Sequence, residues 1–242
     1  MRKTIEKHNF DKERIILHRL LLSSSMINNV GLLWGKTGVM FFFMHYYRYT
    51  GDTMYEDVAL ELLDEVEEKL QKGLPVTFES GLSGIGWAVN YLIANTFVEG
   101  DSLEICEEID SKIMETDPRR LTDYTLEKGL GGILLYVLAH SKVVFSQHKQ
   151  LPFDACYLHD LYTACINIRF GREVSSEITK LLDNYLLFYT DKILPDKDIW
   201  DLSAIVQGIL DFDSRKLYEY PLGIKQGLSG ELFEKHCLQH IF

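Results

Sequence analysis

The sequence predicts an all-α protein built as an α/α toroid, a double-layered helical barrel of repeated hairpins. Three observations predict it. A glycine-rich phrase occurs four times, as GLLWGKTG from Gly31, GLSGIGW from Gly81, GLGGILL from Gly129 and GLSGELF from Gly227. Each phrase leads into an apolar helical stretch, then a polar break, then a more charged helical stretch. No alternation of apolar and polar residues between turn signals is long enough to read as a strand.

The phrases start 50, 48 and 98 residues apart, so the last interval holds two periods of about 49 residues, with one degenerate copy near 175–210. Such self-similarity marks stacked supersecondary units, each unable to bury its apolar face alone. The glycines fit tight entry turns, where backbone packs closely and positive φ can be adopted.

The elements follow in order. A first helix covers about Asp11 to Ser24. After the first phrase, Val39 to Tyr47 is apolar almost all round, as in a helix enclosed by others. Thr50-Gly51-Asp52 breaks it, with Gly51 as C-terminal stop and Asp52 or Thr53 as the next N-cap. Tyr55 to Val66 is then amphipathic, with a carboxylate-rich face that includes Glu61, Asp64 and Glu65 and reads as solvated. The second copy pairs Trp87–Ala94 with Asp101–Met114, and the third pairs Ile133–Ala139 with Phe153–Ile168. A fourth hairpin without its phrase spans Ser175–Tyr189 and Ile199–Leu210, and a last helix follows Gly227. The total is ten helices where a six-hairpin ring needs twelve, so the barrel is read as shortened or incomplete, with an apolar seam that a partner could cover.

Composition points to one soluble body, residues 1–242. Its 46% hydrophobic content can fill a substantial core, and no Pro-, Gly- or Ser-rich linker divides it. The net charge of −11 argues against nucleic acid as a partner, because phosphate binding needs a basic field. The run Ile15–Leu22 is interrupted by His18 and Arg19, too short and polar to span a bilayer or serve as a signal, so a cytoplasmic location is expected. Cys106, Cys156, Cys165 and Cys237 lie 50, 9 and 72 residues apart, without a CxxC pair, and read as free thiols.

The phrases FESGLSGIGW, LEKGLGGILLY and IKQGLSGELF, each opening an apolar helix at this period, resemble the GG-motif repeats of the lanthionine synthetase C-like family. The resemblance implies a double-layered α/α toroid and a place in the maturation of ribosomally made peptides. In the family's cyclases it further implies a zinc ion that activates a substrate cysteine thiolate for addition to a dehydrated serine or threonine.

This chain departs from the family at the ligand positions. A Cys-His pair precedes a C-terminal GG phrase in metal-binding members, whereas Lys225-Gln226 precede Gly227 here. Ser80 and Lys128 stand where a histidine commonly precedes a GG phrase, and Asp154-Ala155-Cys156-Tyr157 matches only a fragment of the Trp-Cys-Tyr-Gly phrase that holds the remaining ligand. No cofactor is therefore expected. Any zinc site would have to be assembled from Cys156, Cys237, His236 and His240, of which the two histidines are four apart on the last helix.

Two further constellations carry chemistry. Glu79 and Glu127 each stand two residues before a repeat glycine, so a toroid brings them to one end. They read either as helix-start charges or as an acid–base pair for glycoside hydrolysis, which needs carboxylates about 5–9.5 Å apart. Trp34, Trp87, Tyr91 and Tyr136 on the apolar helices could line a pocket for a peptide, or pack the core.

The leading functional reading is a zinc-free relative of the family that binds a substrate or leader peptide as an accessory component, with another modification enzyme as a possible partner. The alternatives are a divergent thioether cyclase with a rearranged metal site, and a carbohydrate-active α/α enzyme.

Overall fold

The computed structural model describes residues 2–70 and 73–238. The helices are α1 (Arg2–Ser23), α2 (Lys36–Thr50), α3 (Thr53–Leu70), α4 (Leu82–Ala94) and α5 (Ser102–Ile105). They continue with α6 (Glu107–Met114), α7 (Leu130–His148), α8 (Ala155–Gly171), α9 (Ser176–Asp191) and α10 (Leu228–His236). Among the described residues there is no strand, only one parallel bridge between Gln207 and Lys225. The chain is all-α, as the repeat pattern predicts.

The chain divides into two compact units, one formed by residues 1–71 and 202–242, the other by 72–201. In the first, α2 packs against α3 and α10, and α10 also meets α1. Residues Lys36 to His45 of α2 are all buried, which explains an apolar run with no polar face. Phe41 stacks on Phe233 of α10 at 5.9 Å between centroids, and His45 lies against both rings. Helix α3 buries only Tyr55, Ala59, Leu62 and Val66, at helical spacing, and turns its carboxylates outward. Gly51, left-handed at φ 73°, ends α2, and the Met54 amide donates to Asp52 Oδ1 at 3.0 Å to start α3.

In the second unit α4 packs against α7, and α9 packs against α7 and α8. The close approach of α4 to α7 depends on Gly86, where a Cβ would come within 2.4 Å of the Tyr136 ring. By length and composition α7 is the one helix among the described residues able to cross a membrane, and most of it is buried.

One construction starts α2, α4, α7 and α10. Their N-caps are Gly35, Gly81, Gly129 and Gly227, all extended, with φ between −111° and −135°. The first helical amide donates to the carbonyl seven residues earlier: Lys36 to Asn29 (2.9 Å), Leu82 to Pro75 (2.8 Å), Leu130 to Asp123 (3.0 Å) and Leu228 to Pro221 (2.9 Å). The preceding loop thus arches back over the helix end and takes up a donor that has no intrahelical partner. The Thr or Ser that follows adds a second tie seven residues back, from Thr37 Oγ1 to Val30, Ser83 Oγ to Val76 and Ser229 Oγ to Leu222, at 2.5, 2.8 and 2.7 Å.

Space, and not left-handed backbone, is what these glycines supply, which corrects the expectation of positive φ. A Cβ would lie 2.5 Å from the Asn29 carbonyl oxygen at Gly35, 1.9 Å from that of Pro75 at Gly81, 2.2 Å from that of Asp123 at Gly129, and 2.3 Å from that of Gly223 at Gly227. The first copy of the repeat is therefore Gly35-Lys36-Thr37-Gly38, four residues beyond the phrase start at Gly31.

Two other expectations change. The stretch 101–114 is broken at Cys106 into α5 and α6. No helix forms over 199–210: a 3-10 turn at Asp198–Trp200 is followed by irregular chain, because the Gln207 amide donates to Ile224 O (3.1 Å) and the Gln226 amide to Gln207 O (2.7 Å). These long-range bonds replace the helical ladder.

Gly81→Ala is expected to cost about 1–3 kcal/mol, the range of an overpacked site. Gly171→Ala, with nothing within 4 Å of the added carbon, is expected to leave stability unchanged or raise it by up to about 1 kcal/mol. Urea unfolding of the two variants checks the contrast.

Candidate functional site

In the second unit the arches before α4 and α7 meet. The Glu127 carbonyl accepts from the amides of both Phe78 (3.0 Å) and Glu79 (2.9 Å), so the two repeat-equivalent glutamates are joined through backbone. Glu79 Oε1 lies 3.7 Å from Lys128 Nζ, which engages its charge at the turn.

Beside this turn lies an open cleft of about 530 Å³, bounded by Thr122–Glu127 and by Val174, Ser175, Glu177 and Ile178. Its lining includes the acidic residues Asp123, Glu127 and Glu177 and the apolar residues Leu126, Val174 and Ile178, of which Leu126 and Ile178 are buried. Asp123 Oδ1 accepts from the Thr125 amide (2.8 Å) and hydroxyl (2.6 Å), and these bonds hold its carboxyl below the usual range.

The aromatic residues expected at a pocket lie elsewhere. Trp87 and Tyr136 are fully buried and Tyr91 nearly so. Trp87 Nε1 donates to Ile199 O at 2.9 Å, and its ring meets Phe78, Tyr91 and Trp200. These three side chains are core, because their apolar area is spent on other rings. Trp34 is half-buried in the first unit, where its backbone sits against Gly223.

A polar cluster that sequence reasoning missed occupies the core of the second unit. His140 is fully buried on α7, with Nε2 2.9 Å from Asp110 Oδ2 and Nδ1 3.0 Å from Asn90 Oδ1 and 3.1 Å from Ser102 Oγ. Tyr136 OH donates to Asp110 Oδ1 (2.6 Å), Ser102 Oγ to Asn90 Oδ1 (2.6 Å), and Asn90 Nδ2 to Gly86 O (2.7 Å). The cluster ties α4 and α7 to α5 and α6 and satisfies its members mutually, as buried polar groups require. The available signal was a lone Asn90 and a lone His140 inside otherwise apolar helices.

The sulfur and imidazole candidates are dispersed. Cys156 is exposed in the first turn of α8, where Asp154 Oδ1 caps the helix by accepting from the Tyr157 amide at 2.7 Å. Cys237 is buried after α10, and burial pushes its thiol up to about 12. Burial likewise pushes Cys106 to about 12, and raises Cys165. His236 Nε2 lies 3.3 Å from Glu13 Oε2 and its ring beside those of Tyr46 and Tyr49. His240 lies outside the described residues.

Among the described residues no three His, Cys, Asp or Glu side chains converge as metal ligands. At the family's ligand positions, the Lys225 amide donates to Leu33 O (3.1 Å), and Gln226 takes a left-handed φ of 52°. An ammonium and a primary amide do not fit zinc, which takes thiolate, imidazole or carboxylate.

Asp110→Ala is expected to cost about 3–5 kcal/mol, because it strips the partner from buried His140. Adding His140→Ala is expected to cost less than the sum of the single changes, since the two act as a unit; urea unfolding of the double-mutant cycle checks this. In the folded protein one thiol of the four, Cys156, is expected to react rapidly with an aromatic disulfide at pH 8, and all four after denaturation, because only a thiolate attacks. Rapid reaction of a second thiol in the folded protein would contradict the burial described.

No curated protein matches this chain. The family model described as lanthionine synthetase C-like protein matches residues 27–165, more than half of the 242. The match takes in the glycine-capped starts of α2, α4 and α7, and the same construction recurs beyond it at α10. With that length matched and that construction repeated, the chain belongs to the lanthionine synthetase C-like protein family.

Proposed function

We propose that the protein binds a ribosomally made peptide in the cytoplasm as a non-zinc accessory component of its modification, and does not itself close thioether rings. The observation that carries this reading is the donor set beside the glycine-capped helices: Ser80, Lys128, Lys225 and Gln226 stand where the family's cyclases carry imidazole and thiolate. Without a zinc-held thiolate, a cysteine near its ordinary pKa of about 8.5 is mostly protonated at neutral pH and adds slowly to a dehydrated residue.

What remains of a peptide-modifying fold without that centre is recognition. A repeat-built scaffold presents several equivalent helix starts, each with a short loop arched over it, and sites carried on loops held by rigid elements are the usual place for binding. The open cleft between residues 122–127 and 174–178 is of a size that suits a ligand of a few residues.

Two measurements on the purified protein test the proposal. Elemental analysis after dialysis without chelator is expected to find well under one zinc per chain. A synthetic peptide carrying one cysteine and one dehydroalanine is expected to bind in equilibrium dialysis while its rate of ring closure stays at the uncatalysed level. One zinc per chain, lost in Cys156→Ala or Cys237→Ala and accompanied by accelerated closure, would overturn the proposal in favour of a divergent cyclase.

A further inference from the structure

We infer that the buried polar cluster of the second unit is a proton-held clamp: His140 is an imidazolium paired with the Asp110 carboxylate, and its proton fastens α5 and α6 to α4 and α7.

The proton count follows from which atoms face one another. Asn90 Nδ2 donates to Gly86 O at 2.7 Å, which fixes the orientation of the amide and leaves Asn90 Oδ1 as an acceptor at the centre of the cluster. Ser102 Oγ donates its one hydrogen to that oxygen at 2.6 Å. His140 Nδ1 lies 3.0 Å from the same oxygen and 3.1 Å from Ser102 Oγ, so it meets lone pairs and is the donor itself. His140 Nε2 lies 2.9 Å from Asp110 Oδ2, a carboxylate acceptor. Both ring nitrogens thus face acceptors, and imidazolium is the form of histidine with a donor on each. A neutral ring would set one bare nitrogen against oxygen lone pairs, away from water.

Charge and packing favour the same state. Asp110 and His140 are 4% and 0% exposed. A lone carboxylate buried to that degree is costly, whereas a bonded ion pair carries no net charge into the core. Tyr136 OH supplies the bond to the second carboxylate oxygen, Oδ1, at 2.6 Å. The Tyr136 ring stacks on that of His140 at 5.4 Å between centroids and 8° between planes, within the range of a cation over an aromatic face. The other titratable groups around the pair are neutral at pH 7. Burial pushes the Cys106 thiol up to about 12, and burial, with Asp110 nearby, raises the Tyr136 and Tyr157 hydroxyls. From α4 comes the uncharged Asn90, and Phe153 closes one edge of the His140 ring. The charges nearest the outside are Asp101, beside Ser102 and paired with His148 at 2.8 Å, and Asp154, exposed at the start of α8. Removing the proton from His140 would leave a net negative charge, and lone pairs facing one another, where four helices are joined.

The test is nitrogen NMR of the imidazole ring in isotope-labelled protein at pH 7, with the His140 signals assigned through bonds from its backbone. Asp110→Asn is the near-isosteric comparison, and circular dichroism checks its fold. Wild type is expected to show both ring nitrogens of His140 protonated. In Asp110→Asn, Nε2 is expected to lose its hydrogen and accept from the introduced amide, while Nδ1 keeps its own. An unprotonated ring nitrogen in wild type, or two protonated nitrogens in Asp110→Asn, overturns the pairing. Urea unfolding then separates a clamp from a pair that holds nothing. An unfolded histidine releases its proton near pH 6.5, so above that value the folded chain keeps a proton that the unfolded chain has lost, and stability falls as pH rises. Between pH 7 and 9 the folding constant of wild type is expected to fall more steeply than that of Asp110→Asn, by up to about tenfold per pH unit, the limit for one proton. Equal slopes overturn the clamp.

Discussion

The amide that opens each glycine-capped helix donates to a carbonyl seven residues upstream, and that bond closes only where no Cβ stands between the arch and the helix. At Gly81 the space left for a side-chain carbon is 1.9 Å from the Pro75 oxygen, far inside any van der Waals contact. The constraint sets where α2, α4, α7 and α10 start, hence which of their residues face inward. It also sets which residues are carried beside each helix end. Glu79, Glu127, Lys225 and Gln226 occupy related places because the same arch delivers them there.

The buried polar cluster of the second unit follows from the same geometry at one remove. Gly86 and Tyr136 allow α4 and α7 to pack closely, and the helices then enclose Asn90 and His140 with no route to water. Such groups are costly unless bonded, and the outer elements supply the bonds through Ser102 and Asp110. The break between α5 and α6 at Cys106 sits at this cluster: the Cys106 thiol lies 3.6 Å from Asn90 Nδ2.

The same economy bears on chemistry. Burial pushes up the Cys106, Cys165 and Cys237 thiols, His236 lies beside Glu13 at the end of α10, and an ammonium and an amide precede Gly227. Acidic, hydroxyl-bearing and apolar residues, by contrast, line one cleft.

Much of the fold was legible in the chain. The recurrence of GLSG-like phrases determined that helices repeat, the all-round apolar runs in α2, α4 and α7 determined which are enclosed, and Thr50-Gly51-Asp52 determined a break, because caps, periodicity and burial are local properties of residues. The departures Lys225-Gln226, Ser80 and Lys128 were equally visible without coordinates. Only tertiary structure decided the rest. It moved the first repeat glycine from Gly31 to Gly35, since the register depends on which amide reaches which distant carbonyl. It replaced the helix expected over 199–210 with a chain tied to residues 224–226, because bonds between segments far apart outweigh local propensity. It turned Trp87, Tyr91 and Tyr136 from candidate pocket walls into core, joined His140 to Asp110 across 30 residues of sequence, and brought Glu127 and Glu177 to the lining of one cleft. Contacts of that kind arise between elements, and no spacing along a single helix encodes them.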